Sequence, residues 1–529
     1  MNKISKYMLI AGVAALSLTS CTDDLDTKPF VPTTLLPDQA WSNDSSYEAM
    51  TAKIYSAFSI PGSDSPSSGD IVGADQGEAT FTRSYWNLQE LPTDEAKVAW
   101  SDEGLNGLQY DQWTATNRFV MLLYDRLELI NAYCNEFLIQ TTDDKVAGRG
   151  ITAGSDQYNK VQENRAEVRT LRALSYYILG DEYANVPFVD ETTGIGSYKP
   201  QQVDRTYLFN VMESELKDVI DKVPAKTATS YGKVNRYVVD MILANLYMNA
   251  EVWGQGNHYA DAVPYLNDII DHGGYSLDRT YKYNFEADND LSPEMIFPLI
   301  QDGIHAQNYG GTTYLTAGAY GDDMAAGDNF GLPQYWSGIR APQELPNLFT
   351  NGDSRAMFWT DNRTKEITNM ADFKQGYSVV KYTNLKQDGT SGSDKTFPDT
   401  DFPFYRLADT YLLYVECALR GTSGTDAAKA VNLYNQIEQR AYGNNSHNIA
   451  SLNDLTLDQL LDERGRELYW EGHRRTDLIR FNRFVSGKNW SWKGGSYAGS
   501  ATIDSKYLIY PVPSTDLSAN GNLKQNPGY

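Results

Sequence analysis

The sequence predicts a mainly α-helical protein in which stacked helix pairs pack against a long, loop-rich region. Apolar residues recur at helical spacing along 117–139, at Val120, Leu123, Leu127, Ile130, Tyr133 and Phe137. The stretch 273–400 is instead rich in Gly, Asp, Asn, Thr and aromatic residues. An irregular stretch of that length inside a compact protein usually carries function.

Similar periodicity predicts further helices at 47–58, 158–179, 204–223, 235–251, 260–270, 404–420, 426–441 and 456–470. Residues 259–270 resemble the second helix of a tetratricopeptide repeat, and 238–250, with small Ala244 and Ala250, is the expected partner helix. A single helix pair cannot cover its own apolar face, so the pairs are expected to stack. The stretch 81–100 is predicted to be loop, and the proline-bearing C-terminal residues 507–529 are predicted to form an extended strap.

Composition excludes some classes of function. The 529 residues carry a formal net charge of −24, with a sequence pI of about 4.6. Such acidity argues against nucleic-acid binding, which needs a basic surface, and against docking on anionic lipid. The chain is also rich in aromatic residues, with 37 Tyr, 18 Phe and 10 Trp, many of them in polar loops. Such rings either stack on sugars or serve as ordinary core and interface residues.

Cysteine and histidine usage gives little sign of metal chemistry. Cys134 and Cys417 sit in apolar helical patterns and are predicted to be core thiols, with a disulfide between them as the alternative. The five histidines are scattered, so a zinc site is not expected. The arginines of 464–483 are interleaved with Glu and Asp, which favours intrachain ion pairs over phosphate binding.

The N-terminus predicts an exported lipoprotein. Lys3 and Lys6 precede an apolar run over 7–18, which is too short to span a membrane and is typical of a signal peptide. The run ends in Leu18-Thr19-Ser20-Cys21, which is similar to a bacterial lipobox. We expect residues 1–20 to be removed, Cys21 to be acylated, and 21–46 to form a tether. The alternative is an ordinary cleaved signal with an incidental cysteine.

Several motifs along the chain resemble the SusD/RagB family of surface lipoproteins. They are the lipobox with its acidic tail, Glu90-Leu-Pro-Thr-Asp-Glu95, and the segments 166–177, 401–416, 463–481 and 523–529. The resemblance implies a fold of about four tetratricopeptide-like units packed against an irregular ligand-binding part. It implies one body over 47–529, with helical repeats mainly in 117–272 and 404–484 and ligand-binding parts in 59–110 and 273–400.

The resemblance also implies a glycan site, because the match is closest to the starch-binding founder of that family. It places Trp100, Tyr309 and Trp336 on an aromatic arc, with Arg83 and Asp75 as polar partners. Glu103 stands where the founder has asparagine, which puts the geometry of that contact in doubt. Each ring could equally belong to the core.

A calcium site is implied in the same way. Asp290, Asp399 and Asp401 match carboxylate ligands of the founder, and hard Ca²⁺ prefers such oxygen ligands. A bound ion would have a structural role. The alternative is a pair of solvated acidic loops without an ion.

The expected function is non-catalytic capture of starch or maltooligosaccharides at the cell surface. The resemblance implies delivery to a SusC-like TonB-dependent transporter in the outer membrane, with acylated Cys21 as the anchor. The alternatives are the same role for a β-glucan, a fructan or peptides, or a surface glycoside hydrolase. Hydrolysis would need a carboxylate pair, and spacing singles out none among the 69 acidic residues.

Overall fold

The computed structural model describes residues 41, 43, 45–71, 75–193, 199–324 and 330–529. The chain divides into two units, Met1–Ala49 and Met50–Tyr529. The predicted signal peptide, Cys21 and the predicted tether up to residue 40 lie outside the described residues. In the first unit, the rings of Trp41 and Tyr47 pack with their centroids 5.5 Å apart. No helix within the described ranges is long and apolar enough to cross a membrane.

Helices dominate the architecture, and the strands are short. The helices are α1 Ser45–Ser59, α2 Phe81–Glu90, α3 Leu105–Gln109, α4 Arg118–Gln140, α5 Asp143–Gly148, α6 Asp156–Tyr183, α7 Arg205–Val219, α8 Arg236–Met248, α9 Tyr259–His272, α10 Thr312–Thr316, α11 Leu407–Leu419, α12 Ala427–Tyr442, α13 Leu457–Leu468, α14 Arg474–Arg480 and α15 Ser514–Ala519. The strands are β1 Lys97–Val98, β2 Val186–Pro187, β3 Gln202–Val203, β4 Met295–Leu299, β5 Ile339–Arg340, β6 Phe358–Trp359, β7 Ser378–Val379 and β8 Phe402–Arg406.

The long helices begin where polar side chains can cap them. Asn117, Ser155, Asp204 and Asn235 each precede a helix and accept hydrogen bonds from backbone N–H groups in its first turn. Such a cap satisfies donors that have no partner inside the helix. The helices predicted from periodicity at these positions are therefore confirmed to within a few residues.

The helices stack as the helix-pair prediction requires. α4 packs against α6, α6 against α7, α8 against α9, α9 against α11, and α11 against both α12 and α13. The pairing of α8 with α9 is the one predicted from the tetratricopeptide-like segment. Cys134 and Cys417 are buried free thiols in α4 and α11, which confirms that they are core residues.

Two local predictions are wrong. Residues 81–90 form α2 and not a loop, and residues 404–406 belong to β8 and not to the following helix. In α2 nine of the ten residues are buried, polar ones included. Phe81, Tyr85 and Leu88 do recur at helical spacing, and Thr80 caps the helix by accepting a hydrogen bond from the Arg83 N–H, so the sequence held local signals that the prediction missed. Asn87 of α2 accepts a hydrogen bond from Tyr314, and Glu90 accepts one from the Gly472 backbone.

The short strands position the loop-rich region against the helices. β8 pairs antiparallel with β4, and their ends match Met295 with Arg406 and Leu299 with Phe402. β1 pairs antiparallel with β5, matching Lys97 with Arg340 and Val98 with Ile339. The C-terminal residues 507–529, predicted to be an extended strap, are interrupted by helix: they include the end of a 3-10 helix at Ser505–Leu508 and the short helix α15.

A buried network of arginines and carboxylates joins these parts. Arg406, at the end of β8, lies 2.6 Å from Glu467, 3.2 Å from Glu294 and 2.6 Å from Glu471. All four side chains are at most 1% exposed. Arg355 pairs with Asp353, Glu463 and Glu467 in the same interior. The pairs outside this network follow the same pattern, since Arg464, Arg474, Arg475 and Arg480 all bind carboxylates. The predicted intrachain ion pairs are thus confirmed.

We predict that Arg406→Met destabilises the protein strongly. It would leave Glu294, Glu467 and Glu471 with one cation fewer in a buried interior, and breaking a buried pair in this way costs about 3–5 kcal/mol of unfolding free energy. Denaturant unfolding followed by circular dichroism measures that loss. Lys222→Met, which removes an exposed pair with Asp218, is the control and should change the unfolding free energy by about 0.5 kcal/mol or less. An Arg406→Met variant as stable as this control would contradict the prediction.

Candidate functional site

The structure brings Trp100, Tyr309 and Trp336 together on one surface. Trp100 Nε1 donates a hydrogen bond to the backbone oxygen of Trp336 at 3.1 Å. The rings of Tyr309 and Trp336 have centroids 6.3 Å apart and planes inclined by 46°. Each of the three side chains is half-buried. The three residues therefore form one aromatic surface, which is bent between the rings of Tyr309 and Trp336.

Strand pairing explains how residues so distant in sequence meet. Trp100 follows β1 and Trp336 precedes β5, and the ladder continues beyond both strands through a bond from Ala99 N to the Gly338 oxygen at 2.8 Å. Gly338 carries no side chain, and the Trp100 ring occupies that space. A Cβ built on Gly338 would lie 2.2 Å from Trp100 Cζ2.

Arg83 and Asp75 lie beside this aromatic surface. Arg83 is carried by α2, and its guanidinium carbon lies 4.5 Å from the ring centre of Tyr314 and 5.8 Å from that of Trp100. These distances suit cation–π contacts. The exposed Asp75 accepts hydrogen bonds from the backbone N–H groups of Gly77 and Glu78.

Gly77 is the point at which these groups converge. A Cβ on Gly77 would lie 3.1 Å from both Asp75 Oδ1 and Tyr309 Cβ, and 3.3 Å from Arg83 Nη1. Arg83 and Asp75 therefore lie near Tyr309 as well as near Trp100. Any side chain on Gly77 would crowd this junction.

The charges near the Trp100 end are partly neutralised. Glu78 forms an ion pair with Arg118 and is buried. Burial raises the pKa of Glu78, while Arg83 and Arg118 oppose that rise. Glu103 and Asp102 are exposed beyond Trp100, and within the described ranges Glu103 has no hydrogen bond or ion pair. Its carboxylate is thus available to solvent or to a ligand.

This arrangement is suited to binding a curved polar ligand with apolar faces. Inclined, half-exposed rings can each contact a different face along such a ligand. The neighbouring carboxylates and the guanidinium can accept and donate hydrogen bonds, and the charge strengthens them. No step of covalent chemistry follows from these groups.

The sequence analysis missed two supporting residues. Tyr314 is buried beneath Arg83, and its ring centroid is 6.1 Å from that of Trp100. Phe397 is buried with its ring centroid 5.0 Å from that of Tyr309. Tyr314 follows Tyr309 and Phe397 precedes Asp399 in the sequence, but no sequence signal distinguishes a ring that supports the site from a ring that contacts a ligand.

The three residues predicted to bind calcium do not form a ready ligand set in this structure. Asp401 and Asp399 accept hydrogen bonds from protein donors through both carboxylate oxygens, and Asp290 is exposed. In the part of the chain that is described, no group of three or more His, Cys, Asp or Glu side chains is placed to hold a metal ion. The carboxylates do influence each other, because burial, and then Asp290 and Asp399, raise the pKa of Asp401 to about 7. The calcium site stays a prediction.

The sequence of this chain is similar to those of known proteins. The model of the SusD family matches residues 314–529. The starch-binding protein SusD of Bacteroides thetaiotaomicron is 30% identical to this chain, over 99% of both chains. The SusD-like protein P2 of Formosa agariphila is 22% identical, over 99% of this chain and 100% of that protein.

Solved structures share the fold. A SusD superfamily protein from Parabacteroides distasonis has a TM-score of 0.71 at 18% identity, covering 92% of this chain and 99% of that one. The surface glycan-binding protein A from Bacteroides thetaiotaomicron, solved with laminarihexaose, has a TM-score of 0.69 at 19% identity, covering 91% and 99%. The mainly helical fold predicted from the sequence is confirmed.

We predict that Gly338→Ala displaces the Trp100 ring. The backbone at Gly338 is held on both sides, by its own N–H bond to Gly318 and by the bond from Ala99, so the added methyl group must push the ring away. Crystal structures of the variant and of Gly521→Ala, whose Cβ would meet no atom within 4 Å, measure the effect. The Trp100 Nε1 bond to Trp336 should be lost in the first variant and kept in the second. An unmoved Trp100 ring in Gly338→Ala would show that the site tolerates a side chain there.

Proposed function

This chain belongs to the SusD family, and from that membership we propose that it is a non-catalytic surface lipoprotein that captures starch and maltooligosaccharides. It delivers them to a SusC-like TonB-dependent transporter in the outer membrane. The observation that carries this proposal is the convergence of Trp100, Tyr309 and Trp336 beside Arg83 and Asp75. The match to the starch-binding protein SusD supports the choice of an α-glucan.

The bent shape of the aromatic surface suits a helical α-glucan. Such a chain presents a curved row of glucose units, and rings inclined to one another can contact successive units. The planes of Tyr309 and Trp336 differ by 46°, which a flat ligand could not follow with both rings. Single-site binding can remain weak, because a polymer engages many copies of the protein at once and the captured chain must also be released.

A β-glucan is the second candidate ligand. One protein of the same fold was solved with laminarihexaose. That likeness, at 19% identity, concerns the fold alone, so the ligand class has to be decided by measurement. A panel of amylopectin, maltoheptaose, laminarin and a fructan separates these possibilities.

We predict that Trp336→Ala abolishes or greatly weakens binding of maltoheptaose. One ring of the aromatic surface is lost, and a loss of about 1.4 kcal/mol or more in binding free energy lowers the affinity about tenfold or more. Calorimetry with purified protein measures it, and affinity electrophoresis in amylopectin gels tests the polymer. Tyr207→Ala is the control, because Tyr207 is an exposed aromatic residue on α7, away from the elements that build the arc.

Two results would contradict this proposal. Absence of α-glucan binding by the wild type, with binding of laminarin or a fructan, would show that the ligand class is wrong. Wild-type binding that survives Trp336→Ala unchanged would show that the aromatic surface is not the site. A reducing-end assay on amylose tests the hydrolase alternative, and sustained sugar release would show that the protein is an enzyme.

The anchor is proposed from the sequence, since Cys21 lies outside the described residues. We predict that Cys21→Ala releases the protein from the outer membrane, because the acyl chains are its attachment. Cell fractionation and metabolic labelling with a fatty acid measure this. Maltoheptaose binding by the released protein should match that of the wild type, because the aromatic surface lies entirely within residues 75–338. Retention of the variant in the membrane would show that Cys21 is not the anchor.

A further inference from the structure

The three consecutive residues 399–401 lie against the segment that carries Tyr309. β4 ends at Leu299 and β8 begins at Phe402, and these two residues pair. The chain beyond each strand end, at Gln301 and at Asp401, is therefore held side by side. The Thr312 hydroxyl also donates to the Thr400 oxygen at 2.7 Å, which ties the start of α10 to the same residues.

Asp401 begins a path of hydrogen bonds toward Tyr309. Its side chain is 3% exposed. Its Oδ1 accepts from the Gln301 N–H at 2.6 Å, and its Oδ2 accepts from the Tyr231 hydroxyl at 2.7 Å. A carboxylate that accepts from a backbone N–H in a buried site makes one of the stronger hydrogen bonds in proteins.

The path continues from Gln301 to both sides of Tyr309. Gln301 Oε1 accepts from Asn308 Nδ2 at 3.0 Å. Asn308 Oδ1 in turn accepts from the Gly310 N–H at 3.1 Å and from the Gly311 N–H. The residues immediately before and after Tyr309 are thus joined to each other, and through Gln301 to Asp401.

Asp399 joins a second loop to the segment that carries Tyr309. Its Oδ1 accepts from Gly303 N at 2.8 Å and from Ser393 Oγ at 2.6 Å, and its Oδ2 accepts from Ser393 N at 2.6 Å. These bonds close the loop 393–399 onto the Tyr309 segment. Phe397 of that loop packs on Tyr309 at 5.0 Å.

We propose that Asp399 and Asp401 are positioning residues that fix Tyr309 by direct hydrogen bonds to its segment, not through a shared metal ion. The role rests on the proposed function, since it matters through glycan contact by Tyr309. Each carboxylate oxygen of Asp399 and Asp401 already accepts at least one hydrogen bond from a protein donor. The residues described in the structure also offer no three-ligand group.

A double-mutant cycle tests this proposal. Asp401→Ala should lower maltoheptaose affinity by about fivefold or more, as expected when a buried hydrogen-bond path is opened. Asp401→Asn retains an oxygen for the Gln301 N–H and should keep most of the affinity. The Asp401→Ala/Tyr309→Ala variant should bind no more weakly than Tyr309→Ala, because Asp401 acts through Tyr309.

Two further variants guard against a purely structural effect. Asn308→Ala removes the last link of the path without touching the buried carboxylate, and it should reproduce the loss if Asp401→Ala fails to fold. Asp288→Ala is the matched control and should leave the affinity unchanged. Among the residues that the structure describes, the Asp288 carboxylate accepts hydrogen bonds from the Gln387 N–H alone, which lies on a different segment. Additive losses in the cycle, or equal losses in Asp401→Asn and Asp401→Ala, would overturn the proposal.

Removal of calcium tests whether Tyr309 is positioned by hydrogen bonds or by a bound Ca²⁺ ion. Protein treated with EDTA should bind maltoheptaose as the untreated protein does, and a loss that added Ca²⁺ restores would overturn the proposal.

If the wild type binds no α-glucan, the proposed function fails, and crystal structures of Asp401→Ala and Asn308→Ala decide the positioning role alone. Displacement of Tyr309 by about 1 Å or more, well outside the precision that functional sites need, supports that role. An unmoved Tyr309 overturns it.

Discussion

The buried ion pairs around Arg406 are the constraint on which the rest of the structure depends. A guanidinium and three carboxylates buried from solvent must all find partners, because an unpaired charge there is very costly. Arg406 ends β8, Glu294 stands just before β4, and Glu467 and Glu471 come from α13 and the turn after it. Satisfying this one residue therefore brings the loop-rich region and the C-terminal helices together.

An aromatic path leads from that network to the surface. Trp470, next to Glu471, packs edge-on against Trp86 of α2 at 5.1 Å between ring centroids. Trp86 contacts Tyr314 at 5.5 Å, and Tyr314 contacts Trp100 at 6.1 Å. The half-buried Trp100 ring thus rests on the buried rings of Tyr314, Trp86 and Trp470. Rigid support of this kind lowers the conformational entropy that a binding surface loses when a ligand is bound.

The residues predicted by resemblance to bind Ca²⁺ also accept hydrogen bonds within the fold. Carboxylates near one another suit Ca²⁺, but the same oxygens suit backbone N–H groups. Asp399 and Asp401 have such donors within 2.6–2.8 Å. Which partner an oxygen takes depends on what the chain folds next to it, and residue type alone does not tell the two apart.

The sequence by itself determined the helical fold, the helix starts and the residues of the arc. Periodic apolar residues and capping side chains such as Asn117 are local signals, and the motif matches placed Trp100, Tyr309 and Trp336 as candidates. Only the tertiary structure decided that α2 is buried on nearly all sides, because its polar residues are satisfied by Tyr314 and Gly472 from distant parts of the chain. It also decided that the three rings meet, since the β1–β5 pairing joins segments more than 230 residues apart. Long-range pairing leaves no periodic pattern in a sequence. The candidate site residues could therefore be predicted from the sequence, but their arrangement in space could not.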